Sequence, residues 1–172
     1  TTEDTKNIAS PVDITFTDYV DAAEKAVAEF EDAGINKIIA LTHIGYNTAP
    51  NVGNDLLLAE KVSGIDVIVG GHSHTELVNP VLVNDDQVNP TVIVQAGSAA
   101  DNLGALNVQF NDQGHVVGYA GQLLDVTRYE EDPEAVEILA PYAKRVEEFG
   151  NEEIGAEALK DLTNPRSSDG GL

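Results

Sequence analysis

The chain has 172 residues, no cysteine, methionine or tryptophan, and 30 acidic residues against 9 basic ones, a formal charge of −21. The length suits one domain with a core of its own. Missing cysteine excludes disulfides, thiolate metal sites and cysteine nucleophiles. The acidity argues against nucleic-acid partners and anionic membrane surfaces. Missing methionine implies a processed product or a piece of a longer protein. An apolar content of 42% separates the chain from acidic disordered sequences, and the charge suits a protein kept soluble in salt. No apolar run reaches the ~18 residues that span a bilayer, so no membrane insertion is expected.

Residues 1–12 are polar and read as an irregular lead-in. Thr17 or Asp18 caps a helix in which Val20, Ala23, Val27 and Phe30 recur at three- and four-residue steps, and Gly34 stops it. Lys37 to Leu41 is a short apolar run, as in a strand buried on both faces. A loop rich in Gly, Asn and Pro over 45–54 leads to a helix opening near Asp55 with Leu56, Leu57, Ala59 and Val62. Asp66 to Val69 is a second apolar strand, followed at once by Gly70-Gly71. Helix, strand, helix, strand indicates an α/β chain with a parallel sheet and crossover helices.

Past residue 75 the pattern changes. Val81 to Val83 and Thr91 to Gln95 read as strands, separated by Asn84-Asp85-Asp86 and a proline. Leu103 to Phe110 and Val116 to Leu124 flank Asn111-Asp112-Gln113-Gly114, a strong hairpin signal. Residues 132–149 form a helix with Val136, Leu139, Ala140, Ala143 and Val146 on one face and Pro133 in its first turn. Pro141 predicts a kink or break in that helix. The tail from 163 reads as a linker or frayed end.

Three of the 4 histidines lie in two loops. His43 is two residues past the first strand; His72 and His74 follow the second. If the helix between is a right-handed crossover, both loops leave the same carboxyl edge of the sheet, where open α/β sheets bind ligands. Neutral imidazole ligates zinc, manganese, iron and related ions. Two histidines spaced by one residue can serve one ion or two neighbours. Ser73 and Thr75 offer hydroxyls to orient the rings. The bland alternative is that of solvated loop histidines beside a glycine turn. His115 follows the hairpin turn and is expected at the surface. The acidic clusters read as solvated helix faces or, at Glu130-Glu131-Asp132, as a favourable charge at a helix start. No acid–base carboxylate pair, nucleophile elbow or phosphate-binding glycine loop is evident.

The run Ile38 to Gly45, the run Gly64 to Thr75 with its Gly-Gly-His-Ser-His core, and Val94-Gln95-Ala96-Gly97 with Leu103-Gly104-Ala105-Leu106 carry a family resemblance. They resemble the second half of a calcineurin-like metallophosphoesterase domain, and more narrowly the 5′-nucleotidase and UDP-sugar hydrolase branch, over most of the chain. The resemblance implies an α/β fold that is part of a two-sheet sandwich flanked by helices, with two divalent ions (Mn, Zn, Mg or Fe) at one end. His43 and His72 would bind one ion and His74 the other. Water activated between the ions would attack phosphorus in line. The family's N-terminal Asp-x-His, Gly-Asp and Asn-His motifs are not in this sequence, so the ligand set here is incomplete and the first half of the domain is expected to be missing. Residues 1–150 would then be the C-terminal half of the catalytic domain with its linker helix, and 151–172 the start of a truncated nucleotidase domain or a linker.

The implied protein is an exported, periplasmic, cell-wall or extracellular phosphoric ester hydrolase acting on a nucleotide. This chain alone is expected to be inactive, and to associate with the missing half or with a second copy. A non-catalytic binding or structural fragment is the alternative, as is a cyclic phosphodiesterase or sulfur-ester hydrolase of the same superfamily.

Overall fold

A computed structural model describes residues 15–48, 53–84, 89–153 and 155. The lead-in at 1–12, part of the 45–54 loop, Asp85-Asp86, the tail from 163 and nearly all of 151–172 lie outside them. The chain divides into two compact units, Thr1–Arg128 and Tyr129–Leu172. The fold is mixed α/β. In order, its elements are α1 (Tyr19–Asp32), β1 (Ile39–Leu41), α2 (Asp55–Lys61), β2 (Val67–Val69), β3 (Val81–Val83), β4 (Thr91–Val94), β5 (Asn102–Phe110), β6 (Val116–Asp125) and α3 (Pro133–Gly150).

Each helix opens on a side-chain cap that satisfies orphan backbone N–H groups. Asp18 accepts from the N–H of Val20 at 2.8 Å and of Asp21 at 3.1 Å. Asn54 accepts from Leu57 N–H at 2.6 Å, and Asp132 from Glu134 and Ala135 at 2.9 and 3.1 Å. Val27 of α1 and Leu58 and Ala59 of α2, with Val62 just beyond it, are buried in the main core, with Val20 and Ala23 packed against it. Phe30, expected on the same face of α1, is largely exposed.

The first unit holds a four-stranded sheet of order β1-β2-β4-β3. β1, β2 and β4 run parallel, and β3 pairs antiparallel at the edge. In-register residues share a face. Ile68 and Ile93, paired across β2 and β4, face the helices; Val67 and Val92 face the β5–β6 hairpin and pack with Val116, Leu106, Val108 and Phe110. Two buried polar residues tie strand starts together. Asp66 Oδ2 accepts Ile38 N–H at 2.7 Å, and Thr91 Oγ1 donates to the Ile65 carbonyl at 2.7 Å. Burial raises the Asp66 carboxyl above the ordinary aspartate range.

Three expectations need correction. The first strand is not buried on both faces: Ile39 and Leu41 are 63% and 84% exposed. They share a face with Val67 and Val69, and the hairpin covers only the part of that face around Val67 and Val92. His115 is half-buried rather than at the surface. The hairpin tip docks on the segment before β1: Asn36 Nδ2 donates to the Gln113 carbonyl at 3.0 Å, and a Cβ at Gly114 would collide with the Asn36 carbonyl. That docking brings the imidazole near enough to favour the charged form of Asp66. Pro141 does not break α3, which runs from Pro133 to Gly150 through it. Proline forfeits one i→i−4 bond, and the full turns on either side hold the helix. The apolar face of α3 is present in sequence, yet none of its residues is buried.

The hairpin forms as expected, β5 against β6, with a bulge at Gln109/Phe110. Asn111 Oδ1 accepts from Gln113 and His115 N–H at 3.0 and 2.9 Å.

The layering predicts unequal sensitivity. Ile68 is 0% exposed, whereas Ile138 on α3 is 61% exposed. In urea denaturation, Ile68→Ala is expected to lower unfolding free energy by about 3 kcal/mol and Ile138→Ala by less than about 0.5 kcal/mol.

Candidate metal centre

Parallel pairing brings the carboxyl ends of β1, β2 and β4 to one edge of the sheet, and each is followed by a polar loop residue: His43, His72 and Gln95. The backbone stitches the first two loops together. Thr42 N–H donates to the Val69 carbonyl at 3.0 Å and Gly45 N–H to the Gly71 carbonyl at 3.0 Å. Tyr46 N–H donates to Ser73 Oγ at 3.0 Å.

His43 and His72 meet edge to face, their ring centroids 5.2 Å apart and the planes at 70°. Two imidazoles on one ion, with metal–nitrogen bonds of about 2 Å and a near-tetrahedral angle, have centroids about 5 Å apart. The pair therefore fits a shared divalent ion in spacing and in donor chemistry. A Cβ at Gly71 would lie 3.0 Å from His43 Nδ1, so glycine there leaves room for the ring. His43 is exposed and His72 half-buried, leaving the pair accessible.

His74 is exposed, one residue past Ser73. His72 and His74 both have positive φ, 79° and 55°. That conformation is strained for residues with a Cβ and persists where surroundings over-determine it. Here Gln95 does much of the holding. Its Oε1 accepts from Thr75 N–H at 2.6 Å and from Ser73 Oγ at 3.0 Å. Thr75 Oγ1 lies 2.8 Å from Ser73 Oγ. Among the described residues no three His, Cys, Asp or Glu side chains cluster as a metal-holding group.

In the sequence Asp55 reads only as a helix start, and Gln95 as a strand end within the Val94–Gly97 run that shares the resemblance, with no site role. Asp55 is fully buried beneath the loops. Its Oδ1 accepts from Thr42 Oγ1 at 2.7 Å, and its N–H donates to the Gly45 carbonyl at 2.8 Å. Oδ2 is buried with no hydrogen-bond donor among the described residues. Burial pushes the carboxyl up to about 6, against a smaller downward pull from the Thr42 hydroxyl. Gln95 carries a findable signal, a polar residue ending an apolar strand at the edge that bears the histidines. Asp55 carries none, because its depth depends on Gly70 passing over it.

No protein-family model matches the chain. It is 39% identical over 160 residues to the trifunctional nucleotide phosphoesterase protein YfkN of Bacillus subtilis, covering 90% of this chain and 10% of that protein. It is 34% identical over 170 residues to the 5′-nucleotidase of Diplobatis ommata, covering 90% of this chain and 28% of that one. Among solved structures, the 5′-nucleotidase precursor from Thermus thermophilus superposes with a TM-score of 0.70 at 34% identity, over 81% of this chain and 29% of that chain. The chain thus spans under a third of the length of these relatives.

The burial of Asp55 has a definite pH signature. Its folded pKa of about 6 lies above the ordinary 3.8, so the folded state holds the proton more tightly than the unfolded state. Stability from this residue is full below about pH 4, falls as pH rises towards 6 and levels off above it. Urea denaturation at pH 4.5 and 7 is expected to show the wild type losing about 2 kcal/mol relative to Asp55→Asn over that interval.

Proposed function

Because this chain belongs to the 5′-nucleotidase family of metallophosphoesterases, we propose that it supplies one wall of the two-metal centre of a hydrolase that releases phosphate from a nucleotide. The observation that carries this reading is the meeting of His43 and His72 at the carboxyl edge of the parallel strands, with the spacing of two ligands on one ion. His74, on the same loop, would serve the second ion. Manganese, zinc, magnesium and iron are the candidates, with imidazole favouring the transition metals. When bound, such ions neutralise phosphoryl charge and acidify water.

The chain's own residues do the holding. His43 and His72 offer imidazole nitrogens, and the Gly45–Gly71 and Tyr46–Ser73 bonds keep the two loops in register. Imidazoles leave the charge of two divalent ions unbalanced. The anionic ligands would come from outside the described residues, and this chain by itself would not turn over substrate. The uncovered Ile39, Leu41 and Val69 on one face of the sheet support association with a covering partner, either the remainder of the catalytic domain or a second copy. In this reading residues 1–150 complete the catalytic domain, with α3 as the link, and 151–172 begin the next domain or a linker to it. Export to the periplasm, cell wall or exterior is supported by the precursor status of the Thermus relative. No helix among the described residues is long and apolar enough to cross a membrane.

Phosphate release from AMP with Mn²⁺ tests the reading. The isolated chain is expected to release none. A full-length protein containing it is expected to turn over, and to lose at least about 100-fold in kcat on His72→Ala. Turnover by the isolated chain that depends on His72 would overturn the incomplete-site reading. A full-length protein indifferent to His72→Ala would overturn the ligand assignment.

A further inference from the structure

Gly70 is packed against two buried polar side chains. A Cβ at this position would collide with Asp55 Oδ2 and lie 3.0 Å from Gln95 Nε2. The two side chains therefore both crowd the Cβ position of Gly70, where only glycine fits. Asp55 is 0% and Gln95 2% exposed. They reach this point from different elements: Asp55 opens α2, and Gln95 follows β4.

Each grips residues beside the histidines. Asp55 holds Thr42 through Oδ1 and Gly45 through its own N–H, on either side of His43. Gln95 Oε1 holds Ser73 and Thr75, on either side of His74. Its Nε2 points at the Gly71 carbonyl, before His72, at 3.4 Å. Ser73 also receives Tyr46 N–H from the His43 loop. The positive φ of His72 and His74 makes such a grip necessary, since a free loop would relax out of it.

We propose that Asp55 and Gln95 are a pair of positioning residues that, by both packing against Gly70, fix the His43 loop and the His72–His74 loop in one relative placement. The purpose of this placement rests on the metal-centre reading; the mechanical coupling does not. Asp55→Asn keeps the Oδ1 acceptor for Thr42 and changes only the group packed on Gly70. Gln95→Glu keeps the Oε1 acceptor for Ser73 and Thr75 and replaces the Nε2 donor that faces the Gly71 carbonyl.

Two readouts on the full 172-residue chain test this: imidazole ¹H–¹⁵N resonances without metal, with His115 as internal control, and Mn²⁺ affinity by calorimetry. Each single variant is expected to shift the loop imidazoles but not His115, and to weaken Mn²⁺ binding about tenfold. Gly70→Ala, which crowds both side chains at once, is expected to shift the same imidazoles. Single variants that lower thermal stability with the loop imidazoles unmoved would overturn the proposal, as would single variants that each move only the histidines of their own loop. If both single variants fail to fold, Thr42→Val removes the Asp55 grip on the His43 loop alone, and an unchanged His43 resonance would be decisive against it. If the wild-type chain binds no Mn²⁺, the imidazole spectra alone decide the pairing.

Discussion

Parallel pairing is the constraint on which the site depends. Once β1, β2 and β4 run in one direction, their exits share an edge, and loops 20 or more residues apart in sequence become neighbours. The crossover through α2 is what makes β1 and β2 parallel, and α2 in turn depends on the Asn54 cap and on Leu58 and Ala59 reaching the core. His43 and His72 therefore owe their 5.2 Å approach to apolar packing on the helix side of the sheet as well as to their own loops.

Electrostatics divides the molecule in two. Among the described residues nearly all of the acid sits in water, where it adds solubility and a general repulsion. Some of it is used locally: Asp18 and Asp132 satisfy helix starts that would otherwise leave N–H groups unpaired. Asp55 and Asp66 are the exceptions among the described residues, sunk at opposite ends of the parallel strands. Asp66 lies by the amino ends and holds the start of β1 to β2; Asp55 lies by the carboxyl ends and holds the loops. Burying a carboxylate is unfavourable, and both are placed where backbone or hydroxyl donors offset part of that.

How much of this the sequence disclosed varied with how local the deciding physics was. Caps, strand cores and the Asn111–Gly114 turn are set by a few adjacent residues and were legible. The convergence of His43 and His72 was also legible, because crossover handedness turns sequence order into position. Exposure was not: β1 has the composition of a covered strand, yet the hairpin stops short of Ile39 and Leu41. The depth of His115 came from the hairpin tip seating on Asn36, a contact between residues distant in sequence. Gln95 and Asp55 escaped notice because each has an ordinary local explanation, and their significance lies only in both reaching Gly70.

That same seating of the hairpin tip bears on the cost of assembly. β5 and β6 close over a short turn, an event of microseconds that needs nothing from the rest of the chain. The Asn36–Gln113 bond spans 77 residues, and Val67 and Val92 give the hairpin the apolar platform on which it rests. The hairpin is thus local in its own pairing and non-local in its seating, and it is the seating that carries the larger loop-closure cost.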